Sequence, residues 1–229
     1  MLALKQALSL GKTFDEGIGW TPLDEASLEA WYQKAVGITL NGTDVSDWAD
    51  SSGNNNTMRQ TTEDKQPAYS GGVLTFDPDD TNFLVSATDI TLADAFTIGI
   101  RLNITAAGGV ILGDNTEDGE LIKVFSSTKI SVRIDNQTRV DIQLDSGTLL
   151  GGEAYMVLSR QAPSDEIFLY WNGVKQADTE VMTGTANIDA IGVRKEELNP
   201  FDGTIREIQI YNNTSDVLVN NVNASLADL

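Results

Sequence analysis

Phe96-Thr97-Ile98-Gly99-Ile100-Arg101-Leu102-Asn103-Ile104 decides the fold. Every even position is large and apolar, and every odd one is small or polar. A period of two over nine residues describes a strand with one face in a core and the other toward water or a thin cover. No helix presents that pattern as a stripe. Other stretches repeat it. Ile130, Val132 and Ile134 alternate, Asp135-Asn136-Gln137 turns, and Val140, Ile142 and Leu144 alternate again. Tyr155 to Ser159 and Glu166 to Trp171 form a further pair. Strands laid beside one another in this way predict an antiparallel sandwich or barrel.

Two Asn-Gly dipeptides, Asn41-Gly42 and Asn172-Gly173, mark tight hairpins, since both residues accept the positive φ of a type I′ turn. Thr21 to Tyr32 carries mixed signals. Ser27 could cap a helix, yet Leu28, Ala30 and Tyr32 alternate, and the strand is the reading taken. Ile208 and Ile210 are in phase while Ile205 is one residue out, which predicts a bulge near Arg206-Glu207. Ser215 is placed to cap a closing helical turn that turns Leu218, Val219 and Val222 to the sheet.

Composition narrows the function. Lys and Arg total 15 against 34 Asp and Glu, a formal net charge of −19 and a pI near 4.1. Such a surface repels phosphate backbones, so nucleic acid and anionic membranes are poor partner candidates and neither is expected. No run reaches the roughly 20 apolar residues of a membrane helix, so no membrane insertion is expected. Cysteine and histidine are both absent, which removes disulfides, thiol chemistry, Ser-His-Asp triads and the commonest zinc ligands.

In order along the chain, Leu28-Glu29-Ala30-Trp31-Tyr32, the Trp-x-Asp-x-Ser-Gly-Asn run of Trp48 to Asn54, Gln66-Pro67-x-Tyr69 and Leu74-x-Phe76-Asp77 precede Phe83-Leu84. Farther on stand Phe96-Thr97-Ile98, Tyr155-x-Val157, Tyr170-Trp171-Asn172-Gly173-Val174, Ile191-Gly192, Phe201-Asp202-Gly203-Thr204-Ile205 and Glu207-Ile208-x-Ile210-Tyr211-Asn212. This ordered set resembles the laminin-G-like, concanavalin A-like jelly-roll modules over roughly residues 28–229. The resemblance implies an all-β antiparallel jelly-roll β-sandwich over residues 21–229, preceded by a short N-terminal arm, residues 1–20.

That arm begins Met-Leu-Ala-Leu-Lys-Gln-Ala-Leu-Ser-Leu, with no small-residue cleavage site after it, so a signal peptide is not expected. Leu4, Ala7 and Leu8 would share one face of a short helix ended by Gly11. Leu2, Leu4 and Leu8 are therefore the assembly candidates, docking on a neighbouring subunit; folding back on the arm's own domain is the other reading.

Glycoside hydrolysis in the retaining mode needs two carboxylates about 5 Å apart, which on a strand means acids of equal parity. No Glu-x-Asp-x-Glu run exists, and Glu207 has no acid at i+2, so no enzyme is expected. Asp77, Asp79, Asp80 and Asn82 gather hard oxygens suited to Ca2+ in one turn, as do Asp114, Asn115, Glu117 and Asp118 in another; solvated turns are the alternative for both. Carbohydrate would be met by exposed aromatics with amide neighbours, and Trp20, Asn54 and Asn55 are the candidates. Trp48 and Trp171 are expected against the core.

The acidity, the missing Cys and His and the apolar arm together look like virion proteins of tailed bacteriophages, capsid decorations or tail-associated subunits. The resemblance implies virion partners, homo-oligomers and an outward-facing sandwich able to meet host-surface or environmental glycans. A free or cell-surface bacterial lectin-like module, extracellular in setting, is the alternative.

Overall fold

The computed structural model describes residues 19–116 and 119–229. Leu2, Leu4 and Leu8 lie outside them, as do Glu117 and Asp118. Seventeen strands run in chain order: β1 (Leu28–Tyr32), β2 (Ile38–Asn41), β3 (Asp44–Trp48), β4 (Met58–Arg59), β5 (Ala68–Ser70), β6 (Val73–Phe76), β7 (Leu84–Leu92), β8 (Phe96–Ile104), β9 (Val110–Asp114), β10 (Gly119–Ser126), β11 (Lys129–Val132), β12 (Val140–Gln143), β13 (Glu153–Arg160), β14 (Glu166–Trp171), β15 (Val174–Val181), β16 (Ala186–Ile191) and β17 (Gly203–Tyr211). Among the described residues one α-helix, α1 (Asp216–Ala227), follows β17.

The ladders, all antiparallel, form two layers. One runs β1-β17-β8-β13-β14-β15. The other runs β12-β11-β10-β9-β16-β7-β4-β3-β2. β5 and β6 connect them, pairing with β3, with each other and with β17. At the opposite side no ladder joins β12 to β15. Side chains close the gap: the Asp178 carboxylate accepts from Gln143 N at 2.7 Å, and Gln176 Oε1 from Asp145 N at 2.9 Å. The antiparallel sandwich expected from the alternation, of the jelly-roll type that the resemblance implies, is the architecture found.

Parity explains the layering. On β8, Phe96, Ile98, Ile100, Leu102 and Ile104 point between the sheets into the main core. The odd positions face the other way, where α1 lies. A second apolar cluster forms there from Leu28, Trp31, Val157, Tyr211, Leu218, Val219, Val222 and Leu226. The thin cover on the far face of β8 is thus a helix. Ser215 caps it, its hydroxyl accepting from Leu218 N at 3.1 Å, and the closing turn proves to be twelve residues long. Lys34 Nζ and Arg101 Nη1 donate to the carbonyls of Leu229 and Leu226, cations set where the helix dipole is negative. Each buried aliphatic residue on the helix contributes about 1.5–3 kcal/mol of hydrophobic stabilisation, which holds it down.

The bulge on β17 falls where the phase slip required it. Ile205 faces Leu102 and Glu207 faces Arg101, so Arg206 is the extra residue. Of the two hairpins, Asn172-Gly173 is as read: Trp171 pairs with Val174 and both central residues have positive φ, 48° and 77°. The first is shifted by one. Asn41 pairs with Asp44, so Gly42-Thr43 is the turn, and Gly42 alone has positive φ, 67°. That is the pattern of a type II′ turn, with Gly at the first central position rather than the second.

Candidate functional site

The most irregular ladder in the sandwich is β7 on β16. Ile188 faces Ile90 and Ala190 faces Val85, so Ser86, Ala87, Thr88 and Asp89 all stand opposite Asp189. These small and polar residues leave the sheet as an excursion, because nothing apolar in them calls for the core. Their departure opens a groove against the β4 segment, which pairs with β7 only at Arg59 and Val85.

The groove has a volume of about 420 Å³ and is lined by Asn55, Thr57, Arg59, Gln60 and Thr61 on one wall and by Val85 to Thr88 on the other. Its chemistry is hydroxyl, amide and one guanidinium. Arg59 is held in place, donating from Nε to Asp47 Oδ1 at 2.5 Å. Burial pushes the Asp47 carboxyl up, but bonds from Arg59 and Ser46 outweigh it and hold the group below its usual range. Gln60 is oriented by Thr62 N, which donates to its Oε1 at 2.9 Å. No aromatic ring lines the groove.

The excursion also builds an acidic cluster. Among the described residues, Asp89, Asp114 and Asp189 are the acids whose oxygens converge within 4.8 Å of one another. Asp89 is exposed, whereas Asp114 and Asp189 are 3% and 4% exposed. Burial raises the Asp189 carboxyl to about 6, and Asp114 and Asp89 push the same way, while the bonds it accepts from Asn115 N at 2.5 Å and Thr116 Oγ1 at 3.4 Å oppose the rise. Asp114 Oδ1 accepts from Thr116 N and Oγ1 at 2.9 and 2.8 Å. The two buried acids hold the turn after β9, and their hard oxygens are of the kind that suits a calcium ion.

The residues singled out from the sequence scatter. Asn55 lines the groove. Asn54, one residue earlier, is a clip: its Nδ2 donates to Leu28 O and Glu29 O, each at 3.0 Å. Trp20 is half-buried against the cluster beneath α1. Trp48 is in the main core and Trp171 packs on its edge, so all four tryptophans are buried or half-buried. Asp77, Asp79 and Asp80 are exposed on one turn, organised by bonds from Asp79 N to Asp77 Oδ1 and from Asp77 N to Asn82 Oδ1, both 2.9 Å. The three acids that do converge are far apart in sequence, and of these only Asp114 stood in a motif. The available signal for Asp189 was a carboxylate between Ile188 and Ala190 in an otherwise apolar strand.

A laminin-G family model, described as the concanavalin A-like lectin/glucanases superfamily, matches residues 77–216, and the chain belongs to that family. No curated protein matches the chain by sequence. Among solved structures it is similar to domain 4 of AbnA, an extracellular arabinanase from Geobacillus stearothermophilus determined in complex with arabinotriose, with a TM-score of 0.60 at 18% identity over 86% of this chain and 98% of that one. It is similar also to the binding domain of botulinum neurotoxin DC, with a TM-score of 0.55 at 14% identity over 90% of this chain and 52% of that one. A pentraxin from Limulus polyphemus follows, with a TM-score of 0.51 at 12% identity over 63% of this chain and 74% of that one. At these identities the likeness is one of fold.

Proposed function

We propose that the chain is a non-catalytic, glycan-binding β-sandwich that takes a neutral oligosaccharide in the groove between β4 and the β7 excursion. The groove itself carries the reading: hydroxyls, amides and a fixed guanidinium on facing walls are hydrogen-bond partners for sugar hydroxyls. The family and the arabinotriose complex of the AbnA domain support it. A net charge of −19 disfavours anionic sugars, which selects neutral ones. Without a stacking ring the site binds modestly. Asp114 and Asp189 are the nearest approach to a catalytic pair, and both are buried and committed to the turn after β9. Calorimetry against neutral and sialylated oligosaccharides tests the proposal. Binding of a neutral glycan, lost in Thr88→Arg, is expected; binding unaffected by that variant, or confined to sialylated sugars, overturns it.

For its setting we infer the outside of a virion of a tailed bacteriophage, as capsid decoration or tail-associated subunit, with the first 20 residues as the assembly segment and Leu2, Leu4 and Leu8 as its contacts. The apolar start of a strongly acidic chain supports this. Antibody against the folded domain should label intact particles. A free or cell-surface lectin is the other reading, favoured if the full chain binds glycan as a monomer. Calcium, where held, is assigned to Asp89, Asp114 and Asp189, whose oxygens converge as those of Asp77, Asp79 and Asp80 do not. Millimolar calcium should then raise the unfolding temperature.

A further inference from the structure

Strand β2 is an open edge. Among the described residues its only ladder is to β3. Ile38 and Leu40 pair with Trp48 and Val45, which are fully buried, so both lie on the core-facing side of the sheet. Leu40 is nevertheless 47% exposed, and Val36 just before the strand is 43% exposed, with no strand among the described residues paired beyond them. An uncharged edge with apolar side chains turned toward the core is a template for one more strand.

The same corner is acidic. Asn41 at the end of β2 pairs with Asp44, which lines a cleft of about 540 Å³ together with Glu63, Asp64, Asp77 and Asp80. Gln66 lines it too, 5% exposed, with an Oε1 that accepts no hydrogen bond. What fits is an extended segment, apolar at every second residue and carrying cations.

The chain contains such a segment. In Leu2-Ala3-Leu4-Lys5-Gln6-Ala7-Leu8-Ser9-Leu10 the leucines are all at even positions, a strand periodicity interrupted only at Gln6. Residues 1–14 hold Lys5 and Lys12 and no acid, whereas the other 13 basic residues and all 34 acidic ones lie beyond Phe14, a net −21. Charge and apolar period both match the β2 corner.

We propose that residues 2–10 of one copy add as a strand to the free edge of β2 in a second copy, covering Leu40 and placing Lys5 and Lys12 toward the cleft of Asp44, Glu63, Asp64, Asp77 and Asp80. Donated in turn from each copy, the segment builds a head-to-tail array. The inference rests on the arm being an assembly segment and names where it docks.

The chain has no cysteine, so introduced thiols report directly. Full-length Leu4→Cys is mixed with full-length Leu40→Cys, and with Val174→Cys, an even more open apolar position on β15 that is 61% exposed. Leu2, Leu8 and Leu10 are substituted in turn to cover the register. A disulfide between copies at Leu40, at least tenfold above that at Val174 and lost when salt is raised to about 1 M, is expected. Light scattering should show association of the unmodified chain, weakened at least tenfold by Leu40→Lys, a surface change that leaves the sandwich folded. Association with equal cross-linking at Leu40 and Val174 overturns the β2 site while the assembly arm stands. A monomer without cross-links overturns both. Cross-linking only within one chain, in Leu4→Cys/Leu40→Cys, overturns the second copy as acceptor.

Discussion

Trp31 Nε1 donates to Glu207 Oε1 at 2.9 Å, joining β1 to β17 beneath α1. Glu207 is 2% exposed and accepts twice more, from Lys34 N at 3.2 Å and from Gln209 Nε2 at 2.8 Å. Gln209 in turn donates to Ser225 Oγ on the helix at 3.1 Å and accepts from the Tyr211 hydroxyl at 3.0 Å. A buried carboxylate with three donors, and no cation paired with it among the described residues, is stable only while all three remain. The phenol of Tyr211 is pushed far above its ordinary value, by burial first and by Glu207 second, so it stays a donor at any physiological pH.

Glu207→Gln should lower stability by about 2–3 kcal/mol, because an amide NH2 would face a donor where the carboxylate accepted one. Urea unfolding followed by tryptophan fluorescence measures it. A change under about 0.5 kcal/mol would mean the network is dispensable.

Gly99 lies on β8 directly under the helix. A Cβ there would overlap Val222 Cγ1 and come to 2.9 Å from Leu226 Cδ1. Gly99→Ala should therefore lift α1 and cost about 1–3 kcal/mol, whereas Gly152→Ala, which meets nothing, should be nearly neutral. Thermal unfolding of the pair distinguishes them.

Asp189 stores strain that depends on pH. Its folded pKa of about 6 lies above the ordinary carboxylate value of 3.8, so the folded state holds the proton more tightly. Its contribution favours folding in full below about pH 4 and is lost as pH rises through 6. In calcium-free buffer Asp189→Asn should be more stable than the parent at pH 7.5, by roughly 1–3 kcal/mol, with the advantage vanishing near pH 4. Denaturant midpoints at the two pH values test this, and a gap that widens toward pH 4 would refute it.

Asn54 and the groove separate stability from binding. Asn54→Ala removes two bonds to β1 carbonyls and should cost about 1 kcal/mol with glycan affinity unchanged. Thr88→Arg, on the exposed excursion, should abolish binding with stability within about 0.5 kcal/mol of the parent. Calorimetry beside urea melts reads both.

The sandwich was legible because strand parity is written locally. The alternation from Phe96 to Ile104 determines which side chains meet between the sheets, and the slip between Ile205 and Ile208 needs one extra residue whatever the partner. The turn at Gly42 was misplaced by one because cross-strand register, set by Leu40 facing Val45, decides which residues become central. The groove and acidic cluster were not legible. They depend on four residues of β7 leaving the ladder opposite Asp189, a three-strand event with no local spacing to betray it. Short-range acid spacing pointed instead to Asp77, Asp79 and Asp80, an exposed turn.

Trp20, near the start of the described chain, and Leu229, at its end, both pack on the cluster beneath α1. Tension applied between these two points would load the helical layer and the edge strand β1 first. β1 is tied through Leu28 O and Glu29 O to Asn54, the neighbour of groove-lining Asn55, so a pull that strips β1 would be felt at the groove wall before the sheets behind it part.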